Sequence, residues 1–367
     1  MDSLQSIVSR FALRGEIESI APFGGGHIND TYRITTSSAE TPDYILQRIN
    51  HAIFRDVETM QRNIVRITEH IRHHLAERGE KDLSRKALTV VPTRDGALFL
   101  KEGDTYWRMT ELIPDSVTLY EVTPETAYLT GRGFGDFQQM LSDLPGEPLG
   151  ATIPDFHNME LRIQQLKDAV QANPVGRVGK ARPLVDALMK RADEMCMVER
   201  LHREGSFPKR IAHCDTKVDN MLFDRSTGDF LCVIDLDTTM PGYVLSDFGD
   251  FIRTAGNTGA EDEPDLEKVG LNMDIFRAFA RGYLETASPF LTPIEKAMLP
   301  FGARMMTYMQ TVRFLTDYLN GDTYYKTAFP EHNWQRSWAQ FTLLQSLERH
   351  NAEMMRCIRT LSQEKSE

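Results

Sequence analysis

Residues 210–237, RIAHCDTKVDNMLFDRSTGDFLCVIDLD, constrain the fold more than any other stretch of the chain. Ile211 and Ala212 lead as a short strand into a polar loop that carries His213, Asp215, Lys217 and Asn220. Met221, Leu222 and Phe223 form a second apolar strand. A turn follows with Ser226, Thr227 and Gly228 at its tip, and the run from Leu231 to Ile234 is rich in strand formers. Asp235 and Asp237 close the stretch. Folding back as a hairpin brings Asp235 beside Asn220.

These residue types at these intervals are what phosphoryl transfer needs. One aspartate orients the acceptor hydroxyl and takes its proton, while an asparagine and a second aspartate hold the metal ions that bridge the nucleotide phosphates. His213, Asp215 and Asn220 fall at the offsets of a kinase catalytic loop, and Asp235 stands at the next strand end, where the metal-binding aspartate of a kinase is found. A polar hairpin whose Asp and Asn merely cap turns is the bland reading. It accounts for the loop but not for the strand, turn and Val-Ile-Asp that follow.

The 367 residues suffice for two lobes with cores of their own, and 26% charged with 41% apolar residues is ordinary for a globular protein. A net charge of −11 argues against nucleic-acid binding, which depends on neutralising phosphates with a basic face. Four cysteines, Cys196, Cys214, Cys232 and Cys357, form no C-x-x-C pair and fit a reducing cytoplasm. The first residues lack the pattern of a signal peptide, and no window is apolar enough for a membrane span.

Upstream, the apolar positions of residues 4–13 suggest a short amphipathic helix. A strand over 17–23 runs into Gly24, Gly25, Gly26 and His27, and a strand over 31–35 follows. Strand, glycine turn, strand is the layout of a loop that covers phosphates, because glycines permit close backbone approach. A third strand over 43–50 carries Gln47 and Arg48 where kinases place a phosphate-holding lysine. Side chains alternate along a strand, so one of the two faces the nucleotide; Arg48, a permanent forked cation, is the preferred candidate. A long helix over 54–78 has Met60, Ile64, Ile67, Ile71 and Leu75 on one stripe. Its His70, His73 and His74 sit at metal-like spacing, but Arg-rich surroundings and the lack of H-E-x-x-H favour a solvated face. Strands over 87–113 follow. Backbone groups between Glu111 and Ile113 are placed to bond an adenine ring, and the chain is expected to cross between lobes here, giving domains 1–113 and 114–367.

From Pro124 onward helices dominate, over 125–141, 161–172, 184–202, 272–286, 292–319 and 334–355. The Asp-Phe-Gly at 247–249 comes after Asp235 and opens a helix, so it is a decoy; Asp247 or Asp250 is expected to buttress the catalytic loop by accepting its N–H groups. Residues 313–326 combine Arg313, Tyr318, Tyr324, Tyr325 and Lys326, side chains that can bond or stack on a sugar.

GGGHINDTY, YILQRIN, HCDTKVDN, CVIDLDTTMPG and RFLTDYLNGDTYYK together resemble the aminoglycoside phosphotransferase and choline kinase superfamily, and within it the N-acetylhexosamine 1-kinase branch. The resemblance spans nearly the whole chain. It implies an α+β, protein-kinase-like bilobal fold: a small lobe with an antiparallel sheet and a helix, and a larger, mainly helical lobe. It further implies ATP as co-substrate, Mg2+ on Asn220 and Asp235, and Asp215 as the catalytic aspartate. Gly24, Gly25, Gly26 and His27 match the phosphate loop, and Arg313 and Tyr324 match the branch's sugar site. His27, Asn29 and Asp30 also fall toward the acceptor side.

The expected reaction is in-line transfer of the ATP γ-phosphoryl group to a small-molecule hydroxyl, with Lys217 adding positive charge near the transferring group. The acceptor expected first is an N-acetylhexosamine attacked at its anomeric hydroxyl. Two alternatives stand beside it. One is the same chemistry on an amino alcohol, an aminoglycoside or another metabolite; the other is a non-catalytic nucleotide-binding regulator. The expected partners are small molecules, without nucleic acid or membrane, and the oligomeric state is left open.

Overall fold

Residues 2–24 and 28–363 are described by the structure, a computed structural model, so Gly25, Gly26 and His27 lie outside the described residues. In chain order the first elements are α1 (Asp2–Val8), β1 (Ile17–Pro22), β2 (Asp30–Thr36), β3 (Tyr44–Ile49), α2 (Val57–Glu77), α3 (Leu83–Lys86), β4 (Val90–Val91), β5 (Leu100–Glu102), β6 (Thr105–Glu111) and β7 (Ser116–Val117). Then come α4 (Pro124–Met140), α5 (Met159–Ala172), α6 (Val178–Met189), α7 (Ala192–Met195), α8 (Met197–Arg203), β8 (Arg210–Ala212), β9 (Met221–Asp224), β10 (Phe230–Val233), β11 (Met240–Gly242), α9 (Val244–Ala255), α10 (Met273–Ala287), α11 (Pro293–Leu319) and α12 (His332–Gln363). The fold is α+β and protein-kinase-like, as expected.

The chain packs as two compact units, and neither is contiguous. The first comprises Met1–Leu119, Met140–Pro154 and Asp219–Pro241; the second comprises Tyr120–Gln139, Asp155–Val218 and Gly242–Glu367. This division differs from a single boundary at residue 113. The hairpin β9–β10 belongs to the first unit because β9 pairs with β7, and Ile113 packs against Leu231 and Cys232.

In the first unit the large sheet runs β1-β2-β3-β6-β4, with β5 on β6, all antiparallel. Its register opposes Gln47 to Arg108 and Arg48 to Trp107. Strand alternation then sorts the two faces. Tyr44, Leu46, Trp107 and Met109 join Ile7, Val8 and Phe11 in one core, which places Arg48 on that face and Gln47 with Arg108 on the other. The helix expected over residues 4–13 ends at Val8, and Phe11 instead makes an isolated bridge with Thr93. α2 follows its sequence pattern: Asp56 caps it by accepting the Thr59 N–H at 2.9 Å, and the whole apolar stripe is buried.

In the second unit α9 crosses α11 at close quarters. A Cβ on Gly249 would lie 2.2 Å from the Gly302 carbonyl oxygen, so the glycine of the Asp-Phe-Gly decoy is a packing glycine. α11 opens with a capping box, Thr292 with Glu295, and the buried Glu295 carboxylate also receives both forks of Arg210 at 3.0 Å, which fixes the start of β8. The helix expected over 184–202 is broken into α6, α7 and α8. Side chains take over the carbonyls where α6 ends: Arg191 bonds the Ala187 oxygen at 2.8 Å while pairing with Glu348, and the Tyr308 hydroxyl bonds that of Leu188 at 3.1 Å.

Candidate active site

The loop after β8 is held by one buried carboxylate. Asp247, in the first turn of α9, accepts the backbone N–H groups of His213 and Cys214, each at 2.8 Å, and the amide of Gln138 at 2.6 Å. The Thr216 hydroxyl donates to the Asp247 carbonyl at 2.6 Å. Burial pushes the Asp247 carboxyl up from its ordinary value, and the nearby His213 and the donated hydrogen bonds work against that. Cys214 is left-handed, with φ of 64°, a conformation that side chains other than glycine adopt when their surroundings impose it. The edges of Phe134 and Phe137 close on the His213 ring. Asp250 takes no part in this brace and pairs with Arg253 at 2.9 Å.

Beyond the braced segment, Lys217 Nζ sits 2.7 and 3.0 Å from the two oxygens of Asp215. The Lys217 side chain is 44% exposed and that of Asp215 25%, so the pair is reachable from solvent. Five residues further along the chain stands Asn220, on the first unit. There the hairpin folds back as its sequence predicts: Val233 lies opposite Met221, and the Ile234 N–H donates to the Asn220 carbonyl at 2.9 Å. Asp235 follows in the left-handed conformation, φ 58° and ψ 55°, as an exposed residue at the start of a short turn over Leu236–Thr238.

That turn is tied to the sheet by Asp237, two residues after Asp235. The buried Asp237 carboxylate pairs with the buried Arg108 of β6 and accepts the Asn29 amide at 2.8 Å. Arg108 also donates to Gln47 Oε1 at 2.9 Å, Gln47 donates to the Thr31 hydroxyl at 3.2 Å, and Asn29 Oδ1 accepts the Asn50 N–H at 2.9 Å. The inner cation of this sheet is therefore Arg108. Arg48 lies on the opposite face, half exposed, paired with Asp30. Of the adenine candidates, Glu111 and Leu112 spend their N–H groups on the carbonyls of Thr89 and Asp43, at 2.9 and 2.8 Å. The Ile113 carbonyl accepts the Ser116 hydroxyl. Gly24 has φ of 75°, and among the described residues nothing lies within 4 Å of where a Cβ would stand.

In the second unit Arg313 lies over the rings of Phe156 and Tyr325, 5.4 and 5.6 Å from their centroids. Tyr325 is the partner of Arg313; Tyr324 points outward, 69% exposed. Their loop is held by Asp317, which accepts the N–H groups of Thr323, Tyr324 and Tyr325 at 2.9, 2.8 and 3.0 Å. Beside Arg313 are Arg162 and His157. His157 is pushed down to about 3, first by burial and then by Arg313, Arg162 and Arg253, with Asp215 pulling the other way. Its Nδ1 is buried without a hydrogen-bond partner among the described residues. Sequence reasoning missed Arg108, His157, Arg162 and Asp317. Arg108 sits among strand residues, His157 and Arg162 carry no motif, and Asp317 lies within RFLTDYLNGDTYYK, which marks the segment but not its bracing of the loop.

A family model described as a phosphotransferase enzyme family matches residues 19–284, and the chain belongs to that family. Solved structures with similar folds are low in identity. An aminoglycoside phosphotransferase from Alicyclobacillus acidocaldarius is 15% identical with a TM-score of 0.60, over 94% of this chain and 95% of that one. A choline/ethanolamine kinase family protein from Mesorhizobium loti is 15% identical with a TM-score of 0.57, over 98% and 100%. A spectinomycin phosphotransferase, solved with ADP and spectinomycin, is 12% identical with a TM-score of 0.57, over 95% and 98%. No helix among the described residues is long and apolar enough to cross a membrane.

Proposed function

We propose that this phosphotransferase moves the γ-phosphoryl group of ATP to a hydroxyl of a small-molecule acceptor, and that the acceptor is an N-acetylhexosamine phosphorylated at its anomeric position. The observation that carries the chemistry is the Asp215–Lys217 pair, presented by a loop that Asp247 holds through two backbone N–H groups. Asp215 orients the acceptor hydroxyl and receives its proton as the new P–O bond forms and the bond to ADP breaks. Lys217, paired with Asp215, places a cation near the transferring group. Asn220 and Asp235 offer hard oxygen donors from one hairpin, a set that suits Mg2+, and they would hold it to neutralise the nucleotide phosphates. Arg108 and Asn29 are positioning residues: they hold Asp237, and through it the turn that bears Asp235.

The acceptor reading rests on the second unit. Arg162, Arg313 and Arg253 all act on His157, and Asp215 is within electrostatic reach of the same ring. Three guanidinium groups disfavour a cationic amino alcohol or aminoglycoside. Phe156 and Tyr325 supply faces on which a sugar ring stacks, and His157 Nδ1 is a buried polar atom awaiting a partner. Four free thiols suit a reducing cytoplasm.

The test is ADP release with Mg-ATP across N-acetylglucosamine, N-acetylgalactosamine, plain hexoses, choline and an aminoglycoside. Selective turnover of an N-acetylhexosamine with phosphate on C1 is expected. Turnover of choline or the aminoglycoside alone would discard the sugar assignment while keeping Asp215. ATP binding without any turnover would favour a nucleotide-binding regulator.

A further inference from the structure

We infer that His70, His74 and Asp143 form a binding site for a divalent transition-metal cation of the zinc type, separate from the nucleotide chemistry. The three histidines of α2 read from spacing as a solvated face, but the structure separates them. His70 Nε2 and His74 Nε2 lie 3.2 Å apart, and both approach the same oxygen of Asp143, at 2.9 and 3.0 Å. His73 is outside this triangle and turns to Glu77. All these residues belong to the first unit.

Hydrogen bonding cannot close the triangle. A neutral imidazole carries one N–H. If both Nε2 atoms donate to Asp143, two N–H groups face each other at 3.2 Å; if one ring accepts from the other, its own bond to the carboxylate is lost. A cation resolves the conflict, because all three atoms then offer it a lone pair. With metal–ligand bonds near 2.0–2.1 Å, neighbouring corners of a tetrahedron are about 3.3 Å apart, close to the spacings seen. Two imidazoles and one carboxylate suit zinc and its neighbours in the series better than magnesium or calcium, which prefer oxygen throughout.

The site is also built in advance. Arg66, one turn before His70, donates to the carbonyls of Pro145 and Glu147 at 2.8 and 2.7 Å. Asn63 donates to the Gly150 carbonyl at 2.8 Å, and a Cβ on Gly150 would meet the Thr59 side chain at 2.3 Å. The segment that carries Asp143 is thus stitched along α2 before any ion arrives. Glu77 stands 3.8 Å from His74 Nδ1, beyond hydrogen-bond range, on the side of the ring away from the ligating nitrogen. The side chains of His70 and His74 are 12% and 22% exposed and that of Asp143 64%, so the ion enters from the Asp143 side and the fourth position falls to water.

The experiment is zinc titration of the untagged, chelator-treated full chain by calorimetry, with cobalt absorption as a second readout, in wild type, His70→Ala, His74→Ala, Asp143→Asn and His73→Ala. The wild type and His73→Ala are expected to bind about one ion per chain, to show the visible bands of four-coordinate cobalt, and to melt at higher temperature in zinc. Each ligand variant is expected to weaken binding by at least about 10–100-fold, the loss typical of even an outer-shell partner. Circular dichroism separates a lost site from a lost fold, and Asp143→Asn, on a largely exposed side chain, keeps the test open if a histidine variant does not fold. No saturable binding by the wild type, undiminished binding in His74→Ala and Asp143→Asn, or equal loss in His73→Ala would each overturn the site.

Discussion

Asp247 and Asp317 sit in the same unit, on helices, both buried, and both turn their oxygens on the backbone of a loop. Asp247 reaches back 33 and 34 residues in sequence to two N–H groups. Asp317 reaches forward six to eight residues to three. The first brace is long-range and holds a loop with a left-handed Cys214, just ahead of the Asp215–Lys217 pair. The second is local, closes the end of α11, and presents Tyr325 to Arg313 while leaving Tyr324 exposed. Under the proposed function the same device serves two needs: holding the loop that presents Asp215, and shaping a surface on which an acceptor rests. A reacting group tolerates less misplacement than a stacking ring, so the two braces should fail differently.

The largest effect expected is at the residue the first brace serves. Asp215→Asn should keep ATP binding and cost on the order of 10²–10⁴ in kcat, the range for losing a general base, read by ADP release; near-normal turnover would remove Asp215 from the mechanism. Asp247→Ala should follow. It frees two buried N–H groups, costs about 1–3 kcal/mol of stability in denaturant unfolding, and lowers kcat about 10²-fold through misplacement. Asp317→Ala sharpens the contrast: KM for the acceptor should rise about tenfold with kcat largely kept. Equal kcat losses in both variants would erase the distinction between the two braces.

The smallest effect concerns pH. His157 is held neutral in the folded chain, near 3, against about 6.5 when unfolded. Between those values the unfolded chain binds the extra proton, so this contribution to stability is complete above about pH 6.5 and is lost as pH falls toward 3. His157→Phe should therefore flatten the acid side of the stability profile by roughly 1 kcal/mol per pH unit in urea melts at pH 6 and 4.5. An unchanged slope would show that the ring is protonated, or solvated, in the native state.

Much of the candidate site was legible because its parts lie close in sequence. The spacing from His213 to Asn220, the apolar strands around the turn and the acid at the second strand end specify a hairpin with Asp235 beside Asn220, and the backbone bond from Ile234 to Asn220 is where that pattern puts it. The sheet, the α2 stripe and most helices were legible for the same reason, since period and capping are local properties. The ends of the long helix over 184–202 were not, because Glu348 and Tyr308, far along the chain, decide where α6 stops. Charge and a forked donor set favour Arg48 over Gln47, but neither says which face of a strand a residue takes.

By itself, then, the sequence determined which carboxylates and amides come within one hairpin of each other, because chain connectivity permits little else over so short a span. Tertiary structure alone decided the rest. Register across β3 and β6 chose Arg108 over Arg48 as the inner cation and joined it to Asp237, 129 residues away. The close approach of Gly249 to Gly302 packs α9 against α11, and in that packed arrangement Asp247 meets the loop. The segment folded along α2 turned a row of surface histidines into a convergent triad with Asp143. Each of these depends on side chains buried together from distant segments. Such burial is specified by the packing of the whole core and leaves no periodic trace in any one stretch of sequence.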